Sequence, residues 1–159
     1  MKFWERIYHG FCLFEEKGTV FVCVLMTAAI TLQVFCRYIF NLPLTWSQEL
    51  GKYCLVWLTF LGGSYVLRRK KHISINIIMS RTSEKVQRIT ALFINVLALI
   101  VLGVVIYESI PFIKRMSNVP SVTMGFSMAF VYGALPLAFF FMIIHLMRDI
   151  AQMLNQIRR

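Results

Sequence analysis

The chain has 159 residues, 58% of them hydrophobic and 15% charged, with 17 Lys and Arg against 7 Asp and Glu for a formal charge of +10. Soluble domains carry about 25% charged residues, and the mean hydropathy of +0.69 excludes an ordinary one here. The basic residues cluster between apolar runs, which points them at membrane lipids rather than nucleic acid.

A transmembrane helix takes about 20 apolar residues, so the length predicts four spans and leaves no room for a second, soluble domain. The fold class is an all-α integral membrane protein with spans at about 18–39, 46–68, 89–110 and 124–147. A membrane barrel would need at least eight alternating strands, and the apolar runs do not alternate.

Residues 1–17 mix Phe3, Trp4, Ile7, Tyr8, Phe11 and Phe14 with Lys2, Glu5, Arg6, Glu15 and Glu16. That pattern predicts an amphipathic helix lying on the membrane surface, the alternative being turns that simply lead into the first span. The first span starts too late and runs too long for a signal peptide. After Asn41 and Pro43, Thr45 opens the second span, whose apolar run is extended backwards through Thr45 to Lys52. In the fourth span Pro136 predicts a bend and a freed carbonyl near Tyr132. Small residues spaced by four, Thr59 with Gly63 and Ala129, Gly133 or Ala134 with Ala138, predict close helix approach.

Thirteen of the 17 basic residues fall in the N-terminal segment, the Arg68 to Arg88 connection and the C-terminal tail. By the positive-inside rule these regions and both termini are expected to be cytoplasmic. Arg68, Arg69, Lys70 and Lys71 then read as a stop-transfer run contacting lipid headgroups. The four cysteines lack C-x-x-C spacing, so no metal or redox role is expected.

Ionisable groups Arg37, Glu49, Lys52, Glu108 and His145 all fall near helix ends, whereas a self-sufficient ion-coupled transporter holds such groups near the bilayer midplane. His9, His72 and His145 lie in three different segments, so the facing pair of a haem site is not evident. No P-loop or nucleophile signature occurs, and neither an enzyme nor a cofactor is expected. A haem-bearing anchor of an electron-transfer enzyme and a small autonomous exporter are the alternatives.

The densest information runs from Arg37 to His72. Trp46, Glu49, Tyr53, Trp57, Phe60 and Ser64 recur at steps of three or four, so they share one face of the second span. Arg37 and Glu49 share a membrane depth and are expected to pair across the hairpin, with Glu49 also favoured by the helix dipole.

The set Arg37, Phe40, Trp46, Glu49, Trp57, Phe60, Gly62 and His72, in Arg-x-x-Phe, Pro-x-x-Trp-x-x-Glu and Arg-x-x-x-His spacing, resembles the small membrane subunit of tripartite ATP-independent periplasmic transporters, the DctQ-like family. The resemblance covers nearly the whole chain as a single domain, 1–159. Where relatives often carry acids, this chain has Gln48 and Asn76. The resemblance implies a non-catalytic scaffold partnered by a large membrane transport subunit, which uses sodium, and by a periplasmic solute-binding protein. The implied cargo is an organic acid of the C4-dicarboxylate or sialic-acid type, and the implied site is the bacterial inner membrane. On that reading Gly62 and Gly63 pack, with the aromatic stripe, against the large partner or a bridging lipid.

Overall fold

A computed structural model of the chain describes residues 2–70 and 84–157. The described residues form α1 (Lys2–Ile39), α2 (Thr45–Lys70), α3 (Glu84–Met116), the one-turn α4 (Ala129–Tyr132) and α5 (Ala134–Ile157). They contain four helical stretches apolar and long enough to cross a bilayer: Tyr8–Ile39, Thr45–Arg69, Ile89–Met116 and Ala129–Met153. The chain is a multi-pass membrane protein.

α1 runs unbroken for 38 residues, a rise of about 57 Å at 1.5 Å per residue. The amphipathic N-terminal segment is therefore the first turns of α1 and not a separate interfacial helix. No proline interrupts it, and its polar residues Tyr8 and Glu15 turn onto α5. α1 ends where Asn41 adopts a left-handed conformation, φ 52°, and the Leu42 amide reaches back to the Cys36 carbonyl at 3.1 Å. Asn tolerates that conformation better than most residues, and Pro43 follows it.

Two spans differ in extent from the expectation. α3 passes the predicted end at 110 and continues through Pro111 to Met116. A proline removes one backbone bond from the ladder, and in that turn the Ser109 hydroxyl donates to the Ile106 carbonyl at 2.7 Å. The fourth span starts at Ala129 rather than 124, because residues 119–128 fold back on themselves. The Ser121 amide donates to Phe126 at 2.8 Å and the Met128 amide to Val119 at 2.9 Å, with Gly125 at φ +72° making the reversal. The bend expected from Pro136 is an interruption at Gly133, between α4 and α5. Pro136 has no N–H to offer the Tyr132 carbonyl, and the next bond, Leu137 to Gly133, is stretched to 3.5 Å.

The helices pack in the order α1, α2, α5, α3, with α4 beside α2, α3 and α5. α1 and α3 share no extended contact, so the row is open and these two helices form its edges. Only 6% of the most apolar stretch of each edge helix is buried, against 28% in the second span and 33% in the fourth.

The core lies between α2 and α5, where Leu61, Ala138 and Phe141 are buried and Trp57 and Phe60 pack against them. Ala134 and Ala138 have no exposed surface. A Cβ added at Gly63 would meet the Met142 methyl at 3.3 Å, so Gly63 serves this internal crossing. A side chain at Gly62 would meet nothing. Small residues that let backbones approach are what membrane interfaces use in place of a hydrophobic driving force. On the other flank of α2, buried Ser47 donates its hydroxyl to the Ala29 carbonyl of α1, and Gly51 faces Ile30. The four thiols are free.

Candidate functional site

Two polar constellations stand at opposite ends of α2. The first is built on Glu49, one turn into the helix. Its Oε1 accepts from the Val122 amide at 3.0 Å and from the Tyr53 hydroxyl. Its Oε2 accepts from the Thr123 amide at 2.8 Å and from the Thr123 hydroxyl. Four donors thus converge on one carboxylate, and charge-assisted bonds of this kind are about twice as strong as neutral ones.

The turn they hold is the 117–128 connection, also fastened by the Ser127 hydroxyl to the Ser117 carbonyl at 2.9 Å. Phe126 stacks edgewise on Tyr53 with centroids 5.4 Å apart. At the tip, the Val122 side chain is 94% exposed. The expected pair of Arg37 with Glu49 is not formed. Arg37 is exposed, and no ion pair between the two occurs among the described residues. The physical reason is competition, since two backbone amides and the Thr123 hydroxyl from the turn, with the Tyr53 hydroxyl of α2, already fill the carboxylate.

The aromatic stripe predicted on α2 is present and faces the fourth span. Below the Tyr53–Phe126 contact, Trp57 meets Phe130 at 5.6 Å and Phe60 meets Phe139 at 5.7 Å. Trp46 and Phe40 are exposed, at 39% and 65%. Tyr53, Trp57, Phe60 and Gly63 therefore do intramolecular work, while Phe40, Trp46 and the open side of Gly62 remain available to a partner.

The second constellation was not legible as a site. Glu15 of α1 is 2% exposed and His145 of α5 is 3% exposed, with Nε2 of the histidine 3.1 Å from Glu15 Oε2. The other ring nitrogen, Nδ1, lies 2.8 Å from the Tyr8 hydroxyl. Both imidazole nitrogens are thus engaged, which argues against His145 as a haem ligand. Arg148 lies over the Tyr8 ring at 3.8 Å, a cation–π contact, while Arg68 reaches Glu16 at 3.3 Å. Arg68 and Arg69 each lie 5.0 Å from the centre of the Tyr65 ring.

Arg68 is therefore an intramolecular partner rather than a free headgroup contact, its side chain only 16% exposed. Arg69 is exposed. Lys71 and His72 lie outside the described residues, as does the side chain of Lys70. A signal for the second cluster was present in the sequence as Glu15 and His145, two ionisable residues each next to an apolar span; their pairing is a tertiary fact 130 residues apart in the chain.

The comparisons with known proteins agree with this architecture. Residues 26–156 match the family model described as tripartite ATP-independent periplasmic transporters, DctQ component. The chain is 24% identical over 141 residues to the sialic acid TRAP transporter small permease protein SiaQ of Vibrio cholerae, covering 89% of this chain and 82% of that protein. It is 28% identical over 119 residues, 75% of its length, to the sialic acid TRAP transporter permease protein SiaT of Haemophilus influenzae, of which the match spans only 19%. It is 23% identical over 146 residues, 87% of this chain, to the isethionate TRAP transporter permease protein DctMQ of Oleidesulfovibrio alaskensis, again a minor part, 23%, of that protein.

Proposed function

Because the chain belongs to the DctQ component family of tripartite ATP-independent periplasmic transporters, and so is a small permease subunit rather than an enzyme, we propose that it acts as a fixed brace for a large transport subunit in the bacterial inner membrane. The observation that carries this is the open row of helices. Its edges α1 and α3 present long apolar faces with only 6% of each most apolar stretch buried, and the intervals 18–36, 53–67, 89–107 and 117–147 contain no Asp, Glu, Lys or Arg. A subunit without a midplane charge has nothing with which to couple an ion, whereas a wide apolar row has much with which to support a neighbour.

The partition of labour follows. The large subunit carries the solute and uses sodium, and a periplasmic binding protein delivers the solute. The two matches that span about a fifth of longer permease proteins support a direct association with a larger transport domain. An organic anion of the sialic-acid or C4-dicarboxylate type is the cargo on this reading. The basic ends, with both termini and the 68–88 connection, face the cytoplasm. The turn held by Glu49 and the 42–47 connection then face the periplasm, where exposed Leu42 and Val122 offer contacts to the solute-loaded binding protein. Anionic lipid engages Arg69, Lys70 and Lys71.

Gentle affinity purification from the native membrane, followed by native mass spectrometry, tests the brace. A stoichiometric, large polytopic partner is the expected result, and solute transport by this chain alone in liposomes would overturn it. A reporter fused at Lys70 should report a cytoplasmic location.

A further inference from the structure

Spans that stand upright in one bilayer turn from apolar to charged at a common level, and the two edge helices do not. Side-chain contacts fix the level of each helix against its neighbour. Toward the Glu49 end, Ser47 of α2 bonds the Ala29 carbonyl and Gly51 faces Ile30. Gln48, Glu49 and Lys52 of α2 therefore stand level with the interior of the charge-free stretch of α1, 18–36. α1 continues past Ala29 to Ile39, an overshoot of about 15 Å at 1.5 Å per residue. Along it Leu32, Val34, Phe35 and Ile39 are 46–61% exposed.

At the other end the overshoot is on the opposite rim. Arg148 of α5 lies over the Tyr8 ring of α1 and Arg68 of α2 reaches Glu16, so three spans turn polar together. α3 does not follow them. Its Asn95 amide lies 3.8 Å from the sulfur of Met153, already more than a turn past Arg148. From there α3 stays apolar through Ile94, Phe93 and Ile89, which are 56–67% exposed. Ile89 thus stands about 16 Å beyond the level of Arg148 at 1.5 Å per residue.

An upright row whose hydrocarbon slab is set by Glu49 and Arg68 of α2 would leave both overshoots in water and forfeit the hydrophobic term on each rim. It would also misplace Glu108. Phe112 meets Tyr132 with ring centroids 5.0 Å apart, and Glu108, an exposed residue one turn further from the Glu49 end, would face lipid well inside the slab, where a carboxylate is costly.

From this stagger we propose that the row leans in its own plane, so that its lipid-facing surface is a slanted belt, and that bilayer hydrocarbon covers both overshoots. The belt sits toward the Glu49 end on α1 and toward the Arg148 end on α3. A lean of about 30–40°, the upper part of the range for membrane helices, displaces one rim against the other by about 15–20 Å across three interaxial steps of 8–10 Å. The same lean brings Glu108 to the headgroups and leaves exposed Arg37 and Tyr38 at the end of α1, where basic and aromatic residues anchor a span. Lipid is the fitting occupant because a single slanted slab accounts for two overshoots of opposite sense on opposite rims, and protein covers would need two separate partners. The lean rests on the chain spanning a membrane and not on its acting as a brace, so failure to capture a large partner leaves it standing.

The test is solid-state nitrogen NMR of the full wild-type chain, alone in aligned phosphatidylethanolamine–phosphatidylglycerol bilayers, which reads the tilt of α1 and α3 and its direction. Tilts of about 30–40° within the plane of the row are expected; tilts below about 20°, or directed across the row, overturn the lean. A second readout is Phe35→Cys and Phe93→Cys, each in a chain whose four native cysteines are replaced by alanine, treated in nanodiscs with a membrane-impermeant maleimide. Both are expected to react only once dodecyl sulfate is added, whereas Val122→Cys, at a position 94% exposed, reacts at once. Prompt reaction at either rim of the isolated chain overturns the proposal, and so does protection that arises only with a co-purified protein. If the cysteine variants fail to fold, the wild-type tilt alone decides.

Discussion

Glu49 and Glu15 both tie α2 or its neighbours to a segment distant in the chain, and they do so by different physics. Glu49 lies near water and collects four donors from a turn and a tyrosine, so its charge is matched bond for bond. Glu15 is enclosed by three helices, bonded through one oxygen to His145 while the other oxygen has no partner. The same functional group orders a loop in the first case and holds helices together in the second. What separates them is access to water, since a carboxylate near water regains hydration when a bond breaks and a buried one does not.

The largest effect should come from breaking the buried end. His145→Ala leaves Glu15 enclosed without its partner, and losses of about 3–5 kcal/mol are usual for such a change; the midpoint of denaturation by dodecyl sulfate measures it. A double replacement, Glu15→Met with His145→Leu, should recover most of that loss, because a matched apolar pair often equals a buried ionic one. If the single and double variants are equally unstable, the pairing is not what holds the helices.

Next comes the crossing between the two ends. Ala138 is fully buried against α2, so Ala138→Leu overpacks it at a cost of about 1–3 kcal/mol and should lower the yield of assembled complex. A side chain at Gly62 meets nothing within the chain, so Gly62→Leu should leave the isolated subunit stable while weakening partner binding, read by co-purification.

At the exposed end the effects are smaller and local. Glu49→Gln should reduce hydrogen-exchange protection of the Val122 and Thr123 amides several-fold while leaving residues 8–16 unchanged. Smallest of all, Arg37→Gln should alter stability by no more than about 0.5 kcal/mol, and exchanging the charges of Arg37 and Glu49 should fail to rescue the loop. Rescue would restore the pairing that the structure does not contain.

The helical architecture was legible because apolar length and the positions of charge report directly on spans. The α2 stripe was legible for the same reason, as spacing by three and four places Tyr53, Trp57 and Phe60 on one face. The direction in which that stripe points was not, because an aromatic ridge reads alike whether it meets Phe126, Phe130 and Phe139 of the same chain or a separate protein. Glu49 was recognised and given the wrong partner. Two of its four donors are backbone amides, which every residue possesses and no motif marks. Glu15 was read as part of a polar face because burial by a helix more than a hundred residues away leaves no local trace.

The open row also has a mechanical meaning. A displacement imposed on α3 reaches α1 through α5, which meets α1 by way of α2 and directly where Tyr8 and Glu15 meet His145. The outer helices have little of their apolar length buried, whereas the α2–α5 seam holds the buried alanines and stacked rings. Packing is thus concentrated at the middle of the row, and its two rims are the parts least supported by the rest of the subunit.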